Sequence, residues 1–296
     1  MRFSPYKSIP NLIAIPKWSE IKEVYEAVIN YCEKINGHWY AYVYADIPIL
    51  DGITKIDTIT KAKDWASTNG YDKFKSKVFW PQYRYNNGNV YHASILAMAE
   101  TLRTDLENNN IPMESCSNKI LPKGSQYFGE DSTNRGFDER EGNLLNEVGI
   151  TTIIKRGGQS YIWGPHTAGF ESGDDGNAKD GIDQIAIFDT NIRMQYYILN
   201  NFQSRWASVV DGPISVNMRD SIISAEQEQL DILVTKGALI GDPKVFFVET
   251  ENTVEDLVNG NFKWNFIDTP TPPLKSITGE ASYTDAGFET YYIEEE

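Results

Sequence analysis

Apolar positions along this chain follow two rhythms, one of period two and one of period 3.6. Leu12 to Ile15 is a short apolar run closed by Pro16, which predicts a strand. Ser19 stands where a helix N-cap is wanted, and Ile21, Val24, Tyr25, Val28, Ile29 and Cys32 then recur at helical spacing as far as Asn36-Gly37. Trp39 to Ala45 is apolar on both faces, as in a strand covered from both sides. A loop with Asp46, Pro48, Asp51 and Gly52 leads into a second helix over 58–68, and Lys77 to Trp80 forms a third strand that stops at Pro81. This strand–helix alternation predicts a doubly wound α/β arrangement.

A long helix is predicted over 90–107, with Ile95, Met98, Ala99 and Leu102 facing inward, and Asn108 to Asn110 and Pro112 end it. The chain from 113 to 138 reads as loop, with a short strand at Lys119 to Pro122, and 140–148 as a short helix. Thr151 to Lys155 and Ser160 to Trp163 form a hairpin around Arg156-Gly157-Gly158-Gln159. The most polar stretch, 171–183, reads as a surface loop. Two helices follow, 190–210 and 216–235, separated by Asp211-Gly212-Pro213. They form an antiparallel pair beside a strand over 238–248, a helical turn at Thr253 to Val258, and an alternating strand through Phe262, Trp264 and Phe266.

After Pro270, Pro272 and Pro273 the chain is extended and polar, and it closes on Gly287-Phe288-Glu289-Thr290-Tyr291-Tyr292-Ile293. This last piece has strand propensity and no later element to pair with. It either returns to its own sheet or lends its backbone to another molecule, and the second reading is preferred. The fold class is therefore α/β (α+β): a covered mixed sheet with flanking helices, plus a C-terminal helix-pair-and-sheet domain with an extended terminal β-arm. The expected division is a core domain over 1–170, a polar loop over 171–183, and a C-terminal domain over 184–296 whose arm starts near 270.

Composition narrows the function classes. The 296 residues carry a formal net charge of −15 and a pI near 4.7, which argues against a surface for nucleic-acid phosphates. Aromatic residues are plentiful, with 17 Tyr and 7 Trp, side chains that serve interfaces as well as cores. Cys32 and Cys116 sit in no metal spacing; one disulfide could join them, but two reduced thiols fit better. The start has no apolar export segment and no run is long enough to span a bilayer, so neither a cleaved signal nor membrane binding is expected.

Signals for chemistry are weak. Gly157-Gly158 lacks nucleotide-loop spacing and joins two strands, so it reads as a hairpin turn. His38, His92 and His166 have no local metal partners, and no metal or cofactor is expected. Asp174 to Gly181 faintly resembles a calcium loop, but its spacing is wrong and Lys179 stands among the would-be ligands. Asp46 and Asp51 follow a strand C-terminus, where α/β enzymes place catalytic groups; a turn that caps the next helix is the simpler account. A hydrolase using Asp46 or Asp51 is the rival reading.

Several segments together resemble the sheath subunit of contractile phage tails and related injection systems. They include Asn11 to Pro16, Ala45 to Pro48, Trp65, Trp80-Pro81, His92-Ala93-Ser94, Thr104-Asp105, and Tyr161 to Thr167. In the last of these the family often carries Arg near the position of His166. The most specific matches are Gly237 to Gly241, Glu251 to Leu257, Gly260, and Pro270-Thr271-Pro272-Pro273. The resemblance implies a structural protein and no enzyme: a homo-oligomer stacked as six-fold rings around an inner tail tube, meeting a baseplate and a tail terminator. It implies a virion protein assembled in the host bacterial cytoplasm, contracting without a cofactor to drive the tube through the target envelope. It also implies strand exchange between subunits, here assigned to Phe288, Glu289, Thr290, Tyr291, Tyr292 and Ile293. Another tail component, of the baseplate or terminator kind, is the alternative within this class. Many sheath proteins are longer. With the first core strand at Leu12 there is little room for an N-terminal arm, so a compact version, a truncated chain or a fragment is expected.

Overall fold

The computed structural model describes residues 10–291. Its central sheet has six strands: β1 (Leu12–Ala14), β2 (Tyr42–Asp46), β5 (Ser76–Phe79), β10 (Ile150–Arg156), β11 (Gln159–Trp163) and β8 (Ile120–Leu121), in that spatial order. β1, β2, β5 and β10 are mutually parallel, and β11 and β8 extend the sheet by antiparallel pairing. The covered strand expected around residue 42 is present: all five residues of β2 are buried. Its side chains alternate, Val43 and Ala45 into one core and Tyr42 and Tyr44 into the other.

The first core is covered by α1 (Lys22–Cys32), α2 (Ile59–Asn69) and α4 (Glu139–Asn146), through residues such as Tyr25, Ile29, Ala62 and Leu145. The second lies under α3 (Ala93–Glu107) and the first turns of α5 (Asp189–Trp206), through Ala93, Leu96, Ala97 and Ile192. Both faces are covered as expected, but the parallel strands run in chain order across the sheet. The doubly wound expectation is corrected: no reversal of strand order opens a crevice at the strand ends.

Two small sheets sit beside this one, β7 (Val90–Tyr91), β6 (Gln82–Tyr85) and β9 (Gly124–Tyr127), and the ribbon β3 (Leu50–Asp51) with β4 (Thr54–Lys55). The β10–β11 turn is the two-residue loop predicted, with Gly157 at φ 56° and Gly158 at φ 78°, the twin left-handed pair that matches strand twist. Gly149, between α4 and β10, is at φ 71°, and a Cβ there would lie 2.5 Å from the Thr167 carbonyl oxygen and 2.9 Å from that of Ala168. Gly149→Ala is expected to cost about 2 kcal/mol or more, read as a lower urea midpoint with unchanged slope.

A third core joins α5, α6 (Val216–Thr235) and the ribbon of β12 (Leu239–Phe246) and β13 (Asn265–Pro270) through Met194, Ile198, Leu230, Leu233, Leu239 and Val245. The buried Glu226 of α6 accepts two hydrogen bonds from Arg205, at 2.9 and 2.6 Å, and one from the Trp206 indole at 2.6 Å, which fastens the helix pair. β12 and β13 are antiparallel, with a bulge between Ile240 and Lys244 that accommodates Pro243. A short helix, α7 (Val254–Val258), is closed by a capping box between Thr253 and Asp256.

Three local expectations are corrected. Ser19 is not a helix cap: its hydroxyl accepts the Asp46 backbone N–H at 2.9 Å inside the core, and Ile21 occupies the cap position of α1. In α3 the buried side is Ala93, Ser94, Leu96, Ala97, Thr101 and Thr104, while Ile95, Ala99 and Leu102 face out. Two polar contacts set that rotation, Thr101 with the Tyr44 hydroxyl at 2.9 Å and Ser94 with Asp46. The alternating strand begins at Asn265, so Phe262 and Trp264 precede it and pack as ring contacts with Phe247.

Candidate functional site

The segment singled out from sequence lies beyond β13. Thr271 still belongs to the ribbon: its N–H donates to the Ala238 carbonyl at 3.1 Å and its hydroxyl to that of Gly237 at 2.7 Å. Lys275 then lies over the Phe170 ring, 5.3 Å from its centroid, and donates to the Gly176 carbonyl at 3.3 Å. Beyond these contacts the apolar side chains stand in solvent: Leu274 is 80% exposed, Ile277 86% and Tyr283 84%. With Phe288 and Tyr291, five large apolar or aromatic side chains are exposed over 274–291, more than a merely solvated linker needs.

Among the described residues, 271–291 add no strand to any sheet. Ala286–Tyr291 coils into a 3-10 turn, where the Phe288 N–H donates to the Asp285 carbonyl at 2.9 Å and the Thr290 hydroxyl to that of Gly287 at 2.8 Å. Phe288 and Tyr291 are exposed and stack on each other, ring centroids 6.2 Å apart. Glu289 and Thr290 share the exposed turn; Tyr292 and Ile293 lie outside the described residues. The sequence favours a strand here and the single chain has a turn, because an extended segment holds its form only when its backbone groups find a ladder.

The residues weighed for catalysis are dispersed, with one exception. Asp51 is on the surface and accepts the Trp65 indole N–H at 2.8 Å. His166 is buried between Phe170 and Phe188, at 3.6 and 5.3 Å between ring centroids, and burial holds its pKa down at about 3. Cys32 and Cys116 are both free and buried, and burial pushes the Cys32 thiol up to about 12. Asp174 to Gly181 is a surface loop tied by Asn177 to Asp175 and by Lys179 to Glu171. Among the described residues no group of three or more His, Cys, Asp or Glu is arranged to hold a metal ion, and no helix is long and apolar enough to cross a membrane.

The exception is Asp46. It lies at the C-terminal end of β2 with Ser94, His92 and Glu20 around it. Ser, His and Asp are therefore together, but in the wrong order for nucleophilic catalysis. The fully buried Ser94 hydroxyl donates directly to Asp46 at 2.5 Å, whereas a triad needs the histidine between them. Asp46 instead caps α3: its carboxylate accepts the Ser94 N–H at 3.0 Å, where the helix has no side-chain cap of its own. Sequence placed Asp46 as a turn residue that caps the next helix; it caps a helix one further along.

No known family profile matches the chain. Two curated proteins do. The chain is 23% identical over 283 residues to the tail sheath protein of Escherichia phage P2, covering 93% of this chain and 64% of that protein. It is 23% identical over 287 residues to the major tail sheath protein of Serratia phage KSP20, covering 96% of this chain and 66% of that protein. The chain thus spans just under two thirds of the length of these relatives. Among solved structures, the sheath complex of an extracellular contractile injection system in its contracted state, PVC, superposes with a TM-score of 0.68 at 15% identity, covering 96% of this chain and 73% of that one.

Proposed function

We propose that the chain, which is similar to two contractile tail sheath proteins over most of its length, is itself a structural sheath subunit. Copies stack as six-fold rings around an inner tube, meet a baseplate and a terminator at the two ends, and contract to drive the tube through a target envelope. Assembly takes place in the host bacterial cytoplasm and the product is a virion tail or a related injection device. The observation that carries this reading is likeness to two tail sheath proteins over 93% and 96% of the chain.

In this reading residues 1–170 are the sheath core, 171–183 a surface loop, and 184–296 the domain that holds the lattice together. Phe288, Glu289, Thr290, Tyr291, Tyr292 and Ile293 become a strand only on reaching a sheet edge in an adjoining copy. The stretch from Pro270 to Gly287, with its prolines and exposed backbone, gives the reach for that exchange. It also lets the bodies turn relative to each other while the ladder stays intact.

Co-expression of the chain with a tube protein, followed by negative-stain electron microscopy, tests the proposal. Long hollow cylinders of stacked rings are expected. Short caps or discs at one end of bare tubes would point to a baseplate or terminator component instead.

A further inference from the structure

The acid cluster around Asp46 is not used by the assembly reading. It joins four elements that are distant in sequence. Glu20 ends the 3-10 turn Trp18–Glu20, Asp46 ends β2, His92 and Ser94 begin α3, and Gln82, whose side chain acts on the Glu20 carboxyl, begins β6. His92 Nδ1 is 3.3 Å from Glu20 Oε1 and 3.6 Å from Asp46 Oδ2, so two carboxyls address one ring nitrogen. Neither Glu20 Oε1 nor His92 Nδ1 completes a hydrogen bond in this arrangement, and both atoms are buried. The other charge facing Glu20 is Lys17, and the other groups facing Asp46 are the Ser19 hydroxyl, on its backbone N–H, and Ser94.

The two acids are not equivalent. Asp46 receives two donors from Ser94, a backbone N–H and a hydroxyl, at the N-terminus of a 15-residue helix. Donors and helix dipole favour its ionised form, working against burial, which pushes its pKa up. Glu20 has an amide and an imidazole edge, and its neighbour Asp46 repels a second negative charge. We propose that in mildly acidic solution Glu20 holds a proton in this cluster while Asp46 stays ionised as the cap of α3, making the joint between the turn before α1 and the start of α3 sensitive to proton loss.

Burial first, and Asp46 second, raise Glu20 from 4.5 to about 7. An acid raised in the folded state is protonated in both states below about pH 4.5, so its contribution is complete there. As pH rises the unfolded chain gives up the proton first and the folded state loses ground until it too ionises, near pH 7. The cluster is therefore expected to make the protein less stable across the window from about pH 4.5 to 7, with no further change from this group above it. None of this depends on the sheath reading.

Two measurements on the purified chain test it. In infrared spectra at about pH 6, a protonated-carboxyl band is expected in the wild type, with a component missing from Glu20→Gln. That difference separates Glu20 from Asp46, Asp105 and Asp268, which burial also pushes up. In thermal unfolding, Glu20→Gln is expected to have the flatter profile between about pH 4.5 and 7, and a midpoint about 4 °C above wild type at the alkaline end. Identical infrared spectra, or parallel stability profiles, would overturn the proposal. Should Glu20→Gln unfold, the band in the wild type on its own, lost on raising the pH past 7 and absent from Glu20→Ala, decides the matter.

Discussion

Removal of Gly287–Glu296 is expected to yield a folded monomer that no longer builds sheath. The described part of that segment, 287–291, is a solvent-exposed turn whose hydrogen bonds stay local, so its loss uncovers little core. The unfolding free energy should change by no more than about 0.5 kcal/mol. Assembly is another matter. A donated strand of six residues forms several backbone hydrogen bonds, each worth about 0.5–1.5 kcal/mol net. Burial of Phe288 and the tyrosines beside it adds roughly 1.5–3 kcal/mol for each large side chain. Even about 4 kcal/mol per junction is roughly a thousandfold in the association constant, repeated at every subunit of a cylinder. Circular dichroism would show the retained fold, and electron microscopy with sedimentation would show the lost polymer. Cylinders that persist after the deletion would end the exchange proposal while leaving the sheath reading open.

The second large effect is internal. Asp189→Ala is expected to destabilise the chain by about 3–5 kcal/mol. Lys77 of β5 and Asp189, the first residue of α5, are both fully buried, and their ammonium and carboxylate groups are 2.9 Å apart. The ammonium also donates to the His166 carbonyl at 3.2 Å, and the Ser115 hydroxyl donates to the carboxylate at 3.2 Å. An isolated ammonium inside a protein is far more costly than the pair, so removing one partner costs more than the pair contributes. Nearby, Arg193 of α5 pairs with Asp105 of α3, and Asn200 of α5 donates to the Tyr40 carbonyl at 2.8 Å, so α5 ties α6 and its ribbon to the elements around the central sheet. Chemical denaturation of Asp189→Ala, and of Lys77→Met with Asp189→Leu, measures this. The double variant should recover most of the loss, because a packed apolar pair does not need the desolvated charges. A loss under about 1 kcal/mol in the single variant would mean that water reaches Lys77.

Much of the architecture was legible because it is local. The two-faced apolar run around Tyr42 to Ala45, the two glycines between β10 and β11 and the break between α5 and α6 each act through neighbours a few residues away. Backbone geometry and side-chain period then suffice to place strand, turn and helix. The lone lysine in Lys77-Val78-Phe79-Trp80 was a further signal: a charge inside an apolar strand needs a buried partner. Its partner lies 112 residues away and has no local mark.

What the chain alone determined is its main helices and the strands of its two-faced sheet, the extended polar tail after Pro270, and a likeness to sheath proteins spread over most of its length. What only the tertiary structure decided is how those elements are turned and joined. The apolar residues of α3 pointed to one face, yet Asp46 and Tyr44 hold the opposite one inward, across 48 and 57 residues of sequence. Glu20 and His92 meet in the same way. Contacts of that range form only after the chain has closed on itself, and a buried polar bond outweighs the preference of a few apolar side chains for one side of a helix.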